Sequence, residues 1–431
     1  MDYDNISVTF TQSNSSQNNG VIGGTGFANF WGRLPFQDPI PEYGPSRLYQ
    51  LGLISDPTGT LTNFRFNGTP PFFHWDVEPG VRAPGAVLIK TFRQSNRVGL
   101  KTSRGLWEGA KIDLSWNLGW TYNRTQNILS DSTTGEVKVQ TSTTTGSIER
   151  SFMSFPDLLF FGVFNTGIEE VGKRYGELKA DQGDTRSDEE KLSQAFVEGM
   201  EAIPWLQQVF GQYYPRVNWS FRWDGLEKIS LFSGFVNRLS FDHAYTSTYS
   251  RQYQNRQGGG GERTDGQRVT YGFSPLAGFN FTFKELLKGN FGANLRFTTT
   301  TSYDLTGSSR NIVEAISQEI SITASYNRRG FEIPLFGIAL SNDVDISFSY
   351  SITKNSRKTY DIATLDRGAK GVPVEGTTRT LMEPRISYVL SSRVSASVYY
   401  RYTKIAPDDF GSRIPGSTVN EAGLDLRISI Q

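Results

Sequence analysis

From residue 217 to the last residue, the chain repeats stretches in which every second residue is apolar and the residues between are Ser, Thr, Asn, Asp or Arg. In Val344-Asp345-Ile346-Ser347-Phe348-Ser349-Tyr350-Ser351-Ile352, one set of alternate residues is Val, Ile, Phe, Tyr, Ile and the other is Asp and three serines. Alternate side chains of a strand point to opposite faces, so this pattern predicts a strand with one greasy side and one wet side. The same alternation recurs at 112–122, 217–223, 291–297, 320–326, 394–402 and 424–430.

A soluble β-sandwich alternates too, with its apolar side turned inward, so length and aromatic placement have to separate it from a lipid-facing wall. Sandwich strands average about 5–6 residues, whereas a tilted membrane strand needs about 9–11. Runs such as 109–126 and 310–328 are well beyond ten residues. Aromatic residues gather near the ends of the runs, and rings with a polar tip favour the headgroup level of a bilayer. The expected fold is therefore all-β: an antiparallel transmembrane β-barrel segment of about a dozen strands. Its candidate membrane-interface aromatics are Trp116, Trp120, Tyr122, Trp219, Trp223, Tyr350, Tyr400 and Tyr402. The alternate polar positions Asp113, Asn117, Asn218, Arg222, Asn294, Arg296, Asp345, Arg401, Asp425 and Arg427 mix both signs, which suits a water-filled lumen without strong ion selectivity. Taken one at a time, each is equally a solvated surface residue.

Two segments depart from a simple meander. Residues 25–85 hold nine prolines, from Pro35 to Pro84, too dense for central strand because proline has no ladder donor; this predicts a long loop or insert, tucked into the lumen or lying over it. Residues 167–212 predict helices, over 167–180 and then 187–210, where Leu192, Phe196, Met200 and Ile203 keep helical spacing. The organisation expected is a strand start at 1–24, the proline-rich insert at 25–85, barrel strands at 86–166, the helical insert at 167–212 and C-terminal barrel strands at 213–431. The strands before and after the helical insert read as crossing in the same direction, which leaves open how the chain returns between them. Outer-membrane barrels have short periplasmic turns and longer external loops. The short connections 224–228, 284–289 and 390–392, with the longer 328–341, alternate with the long ones 256–267, 354–376 and 404–417, the brief 307–310 being an exception in the long series. This parity predicts a Gram-negative outer-membrane location with a periplasmic C-terminus and the long loops at the cell surface. Ile6, Val8 and Phe10 already alternate with Ser7 and Thr9, and no basic start or apolar run precedes them. The chain is thus expected to be the C-terminal portion of a longer protein.

Composition narrows the chemistry. A mean hydropathy of -0.41 with no apolar run of about 20 residues excludes a helical membrane protein but not a barrel, half of whose strand residues face water. Lys plus Arg at 44 against Asp plus Glu at 43 gives no electrostatic footprint for nucleic acid. No cysteine is present, so disulfides, thiolate nucleophiles and Cys-based metal sites are absent. The two histidines, His74 and His243, are too far apart in sequence to suggest a ligand set. Asp242 precedes His243, but neighbouring strand residues face opposite ways, so it is badly placed to orient the ring as a general base. The Gly258 to Gly261 run lacks the Lys-Ser/Thr and following helix of a phosphate loop and reads as a loop tip. Asn123-Arg124-Thr125 matches a glycosylation acceptor by chance. No catalytic, cofactor-binding or metal residue is assigned, and no enzyme is expected.

Several motifs resemble one family. They are Trp219-Ser220-Phe221-Arg222-Trp223-Asp224-Gly225-Leu226-Glu227-Lys228, Asp242-His243-Ala244-Tyr245-Thr246-Ser247-Thr248-Tyr249, Gln267-Arg268-Val269-Thr270-Tyr271-Gly272-Phe273-Ser274-Pro275-Leu276, Gly330-Phe331-Glu332-Ile333-Pro334-Leu335-Phe336-Gly337 and Glu375-Gly376-Thr377-Thr378-Arg379-Thr380, with the ending 418–431. Together they resemble the C-terminal part of the SprA/Sov family, the outer-membrane translocons of the type IX secretion system, linked to gliding motility. The likeness is dense from about residue 205 onward and carries no active site. It implies a wall segment of a very large single-chain barrel that exports folded proteins. The partners it implies are outer-membrane lipid, the remaining strands of the full-length translocon, secreted cargo, an accessory outer-membrane barrel and a periplasmic plug. The alternatives are a self-contained porin or transporter barrel and a soluble β-rich surface adhesin; a barrel enzyme of the phospholipase type is more remote, since no suitable Ser-His pair appears.

Overall fold

The computed structural model describes residues 5–22, 49, 51, 61–66, 73–77, 82–85, 87–155, 167–201, 216–256, 262–285, 288–306, 311–335, 338–368, 370–391, 393–408 and 414–428. Among them one 13-stranded antiparallel sheet dominates. Its strands are β1 (Ile6–Gln17), β4 (Val87–Trp107), β5 (Ala110–Ser130), β6 (Val137–Ser151), β7 (Asn218–Asp224), β8 (Val236–Arg256), β9 (Glu262–Phe283), β10 (Asn290–Thr306), β11 (Asn311–Leu335), β12 (Ile338–Asp361), β13 (Val372–Ser391), β14 (Val394–Pro407) and β15 (Ser417–Ile428). From β8 onward each strand pairs with the next in sequence, as in an up-and-down wall, and β1 and β15 lie at the two ends of the strand order. This is the antiparallel transmembrane barrel class expected from the alternation. A separate two-stranded sheet, β2 (Leu61–Phe66) with β3 (Phe73–Val77), lies off the wall within the proline-rich segment, which is therefore more than a loop.

The strands are longer than the sequence suggests. β8, β9, β11, β12 and β13 run 20 to 25 residues, or roughly 65–80 Å at about 3.3 Å per residue. A membrane crossing uses about 9–11, so about half of each strand stands outside lipid. The extra length comes from segments expected to be loops. Most of 328–341 is strand, as are the two ends of 354–376, where β12 is followed only by the 3-10 turn Ile362–Arg367 before β13. Ladder hydrogen bonds need no apolar side chains, so pairing continues where both faces are wet and alternation fades. The glycine run 258–261 lies outside the described residues.

Register assigns every strand's side chains to one of two faces. Even residues of β1, β4, β5, β6 and β11 to β15 share one face with odd residues of β7 to β10. This face carries the apolar stripe. Ile6, Val8, Phe10, Leu295, Ile320, Ile322, Ile346, Ile386, Val398, Leu424, Leu426 and Ile428 stand exposed on it. Exposed aliphatic side chains in that number on one face are unfavourable in water, at about 25 cal/mol per Å², and suited to hydrocarbon.

Candidate functional site

The ten polar positions expected to face a lumen, Asp113 to Arg427, all fall by register on the face opposite the stripe. They do not stand alone there. Arg401 bonds Glu383 (2.8 Å) and pairs with Glu421 (3.4 Å), and Arg385 reaches Glu383 (3.3 Å) and Asp425 (3.7 Å), so charges of opposite sign bridge β13, β14 and β15. Arg222 meets Asp224 at 2.9 Å, and Asn294 and Asp345 hydrogen-bond Asn280 and Asn327. Exposed pairs of this kind contribute little stability each, but they leave a hydrophilic surface without net sign. Asn218 is different: it is buried and serves the seam described below.

The aromatic positions divide. All eight lie on the stripe face by register, yet Trp120 is buried and Trp219 stacks on Tyr245 with ring centroids 4.2 Å apart, against Phe155 as well. Trp219 is thus a packing residue rather than an interface ring. A continuous aromatic row that the motif reading missed runs along the short-turn end of the stripe. Trp107 meets Trp223 (5.3 Å) and Phe221 (5.8 Å), Phe221 meets Phe241 (6.0 Å), Phe241 meets Phe279 (5.1 Å), and Phe281, Phe283 and Phe291 continue it at 5.0–6.1 Å. The alternating Phe279-Asn280-Phe281-Thr282-Phe283 was the available signal. Such a row is the girdle expected where a wall leaves the bilayer.

The wall is broken at one place. β6 and β7 both pair antiparallel with β5 and β8, so they run the same way, end to end in one wall position. The two halves fill one wall position, which the chain leaves midway after Ser151 and rejoins at Asn218; residues 156–166, read from sequence as the strand before the insert, lie outside the described residues. The β5 ladder is interrupted between Ser115, opposite Asn218, and Leu118, opposite Arg150. Side chains fill the gap. The Asn117 N–H donates to Ser151 Oγ at 2.9 Å, and the Ser247 N–H donates to Asn218 Oδ1 at 2.8 Å. The Phe152 N–H reaches the Ser247 carbonyl at 3.0 Å. Without these acceptors, buried donors would each cost about 1–3 kcal/mol.

The excursion carries two helices, α1 (Ile168–Ala180) and α2 (Asp188–Met200). Ser187 and Glu190 form a capping box at the start of α2, with Glu190 held below the usual carboxylate range chiefly by the Ser187 N–H. In the turn before it, Asp184 is held down to about 2, mainly by its hydrogen bond from Arg186. α2 ends at Met200, before Pro204, rather than running to 210; residues 202–215 lie outside the described residues. Val171, Ala195, Phe196 and Met200 are fully buried in one cluster with Tyr245, Tyr249, Val269, Tyr271, Phe273, Tyr303, Leu305, Ile312 and Tyr360 of β8 to β12. Those wall residues have the parity of the apolar stripe. The helices therefore pack on the stripe face, beyond its exposed part toward the long-connection end; residues 156–166, which lead into them from the wall, lie outside the described residues. Close contact is built in, since a Cβ on Gly172 would sit 2.3 Å from the Leu365 carbonyl oxygen and one on Gly199 2.4 Å from the Val171 nitrogen. Gln267 bonds Ser193 at 2.6 Å, and the buried Glu314 carboxylate accepts from Tyr303 (2.7 Å) and Tyr360 (3.0 Å). Arg216 pairs with Glu201 where the excursion returns, both almost completely buried.

His243 places Nδ1 2.7 Å from the Leu276 carbonyl oxygen, while Asp242 accepts from Asn280 at 2.8 Å. The pair is engaged elsewhere, as the strand geometry requires. His74 lies on β3, whose side chains are outside the described set. Among the described residues no group of three or more His, Cys, Asp or Glu is placed to hold a metal ion, and no helix is long and apolar enough to cross a membrane.

No family model matches the chain, and no curated protein matches it significantly. Among solved structures, it is similar to the transport unit of the autotransporter AIDA-I from Escherichia coli, at 10% identity over 80% of this chain and 86% of that one, with a TM-score of 0.25. It is also similar to OmpT, an outer membrane protein of Vibrio cholerae in its trimer form, at 8% identity over 99% of both chains with a TM-score of 0.20. A third likeness is to OmpF of Salmonella typhi in complex with daunomycin, at 11% identity over 78% and 91% with a TM-score of 0.13. At these scores no residue correspondence is drawn from any of them.

Proposed function

We propose that this chain forms part of the wall of an outer-membrane, protein-conducting pore of the type IX secretion class, and that it is not an enzyme. The observation that carries the reading is the two-faced sheet: an exposed apolar stripe bounded by an aromatic row on one face, and a neutral, hydrophilic charge lattice on the other. The sequence motifs from Trp219 onward add the translocon family to that geometry. In this reading the stripe faces lipid, the polar face lines the conduit, and the wall acts by its shape rather than by chemistry. The outer edges of β1 and β15, which pair with no other strand among the described residues, then pair with further strands of the full-length protein, because lipid penalises each open backbone group by several kcal/mol. Secreted cargo passes the polar face, and an accessory barrel and plug act from outside this segment.

The absence of cysteine allows a direct test of the faces. Arg296→Cys and Arg427→Cys should react with a membrane-impermeant maleimide in outer-membrane vesicles, while Leu295→Cys and Leu426→Cys should react only with a lipid-phase reagent. Equal labelling of both sets in water would favour the soluble adhesin. Depleting the protein in its source organism should trap folded cargo in the periplasm. Normal secretion with loss of small-solute uptake would instead favour a self-contained porin, for which β1 and β15 already run in opposite directions.

A further inference from the structure

The broken strand ends on the stripe face with a cation. Arg150 is the penultimate residue of β6, and register sets it in one cross-strand row, Phe10, Val98, Leu118, Arg150, Tyr249 and Val269. On one side of it the row belongs to the lipid stripe. On the other it belongs to the cluster beneath the helices. Arg150 thus marks the boundary at which membrane would meet the flank of the insert.

Its guanidinium is held between two rings, 5.2 Å from the Tyr249 centroid and 5.5 Å from that of Phe152, and Arg216 approaches Phe152 as well at 5.9 Å. The one neighbouring carboxylate, Glu201, is paired with Arg216. Among the described residues no carboxylate lies within ion-pair distance of Arg150, and none of its guanidinium nitrogens makes a hydrogen bond; its side chain contacts the two rings. Ring stacking orients a guanidinium but leaves its in-plane N–H donors open, and a partly desolvated cation beside a second cation favours an anion strongly. A planar fork of donors matches phosphate oxygens.

We propose that Arg150 binds the phosphate of an anionic membrane lipid headgroup, seated in the angle between the stripe of β4 and β5 and the flank of the helical insert. This rests on the reading that the stripe face lies in a bilayer. The lipid tail would lie along Leu118 and Val98, and the phosphate would take the guanidinium edge.

The test uses the full chain in nanodiscs of phosphatidylcholine doped with phosphatidylglycerol, with lipids retained by the protein counted by mass spectrometry after extraction in mild detergent. The wild-type chain should retain phosphatidylglycerol about tenfold over phosphatidylcholine, the scale of one charge-assisted hydrogen-bond set. Arg150→Gln should abolish the preference. Arg150→Lys, which keeps the charge and the stem, should retain part of it and guards against a folding defect, as does unchanged protection of the α2 amides. Arg174→Gln, an exposed change on α1, should leave it intact. A wild-type chain that enters nanodiscs without headgroup preference, or an Arg150→Gln chain that keeps one, overturns this inference alone. Loss of the preference in millimolar inorganic phosphate would overturn the lipid assignment in favour of a free-anion site. A chain that does not enter nanodiscs at all overturns the membrane reading on which both rest.

Discussion

Replacing Phe196 with alanine tests whether the helical insert is held by packing against the outside of the wall. The side chain is fully buried, in a cluster that joins α1 and α2 to five consecutive wall strands and also takes in Phe152, Phe155 and Leu365. Removing its ring forfeits the transfer free energy of a large aromatic and leaves a cavity the rigid sheet cannot collapse, a loss of about 3–5 kcal/mol. The chain leaves the wall after Ser151 and re-enters it at Asn218, and neither helix pairs with a ladder strand among the described residues, so the loss falls on local opening and not on the ladder. At about 1.4 kcal/mol per decade, amide exchange of α2 should accelerate by roughly 10²–10⁴-fold. Amides in β13 and β14, which contribute nothing to the cluster, should exchange as before. Hydrogen exchange by mass spectrometry in detergent resolves the two regions. Unchanged exchange in α2 would refute the packing argument; equal acceleration in β14 would refute the claim that insert and wall open separately.

Other expectations follow from single contacts. Gly109 turns β4 into β5 at φ +77, and a Cβ there would lie 1.9 Å from the Asp224 carbonyl oxygen, so Gly109→Ala should detach β7 from the hairpin and lower the urea midpoint of the detergent-folded chain. If the midpoint is unchanged, that approach is wrong. Asn218→Ala removes the acceptor of the Ser247 N–H and should cost about 1–3 kcal/mol, seen as faster exchange at Ser247; Asn218→Asp, which keeps an acceptor, should cost less. Asp184 has a folded carboxyl near 2 against an ordinary 3.8, so its contribution is complete above about 3.8 and is lost as pH falls toward 2. Asp184→Asn should therefore flatten the pH dependence of insert opening over that range and, having lost the charged carboxylate's contribution, should open somewhat more readily than the wild type at neutral pH. A variant that still shows the wild-type acid slope would assign that slope to another group.

Alternation in the sequence determined the strands, their two faces and the membrane class, because a period of two is a local property of the chain. Asp345 and Tyr350 are separable by counting alone. The start of the second helix at 187 was equally legible, since Leu192, Phe196 and Met200 keep helical spacing. What counting could not supply was depth. Trp219 and Trp223 share one face and one residue type, yet one lies under the helices and the other in the aromatic row, a difference decided by which distant segment covers each. Strand length beyond the stripe escaped for a related reason: with water on both faces no alternation is selected, while the hydrogen-bonded ladder continues. The broken strand was hidden most deeply. Two half-strands 66 residues apart in sequence occupy one wall position, and only the pairing of both with β5 and β8 reveals that they share it. Local periodicity fixes which side of a strand is greasy; whether lipid, a helix or another strand covers that side is a long-range choice made by the tertiary structure.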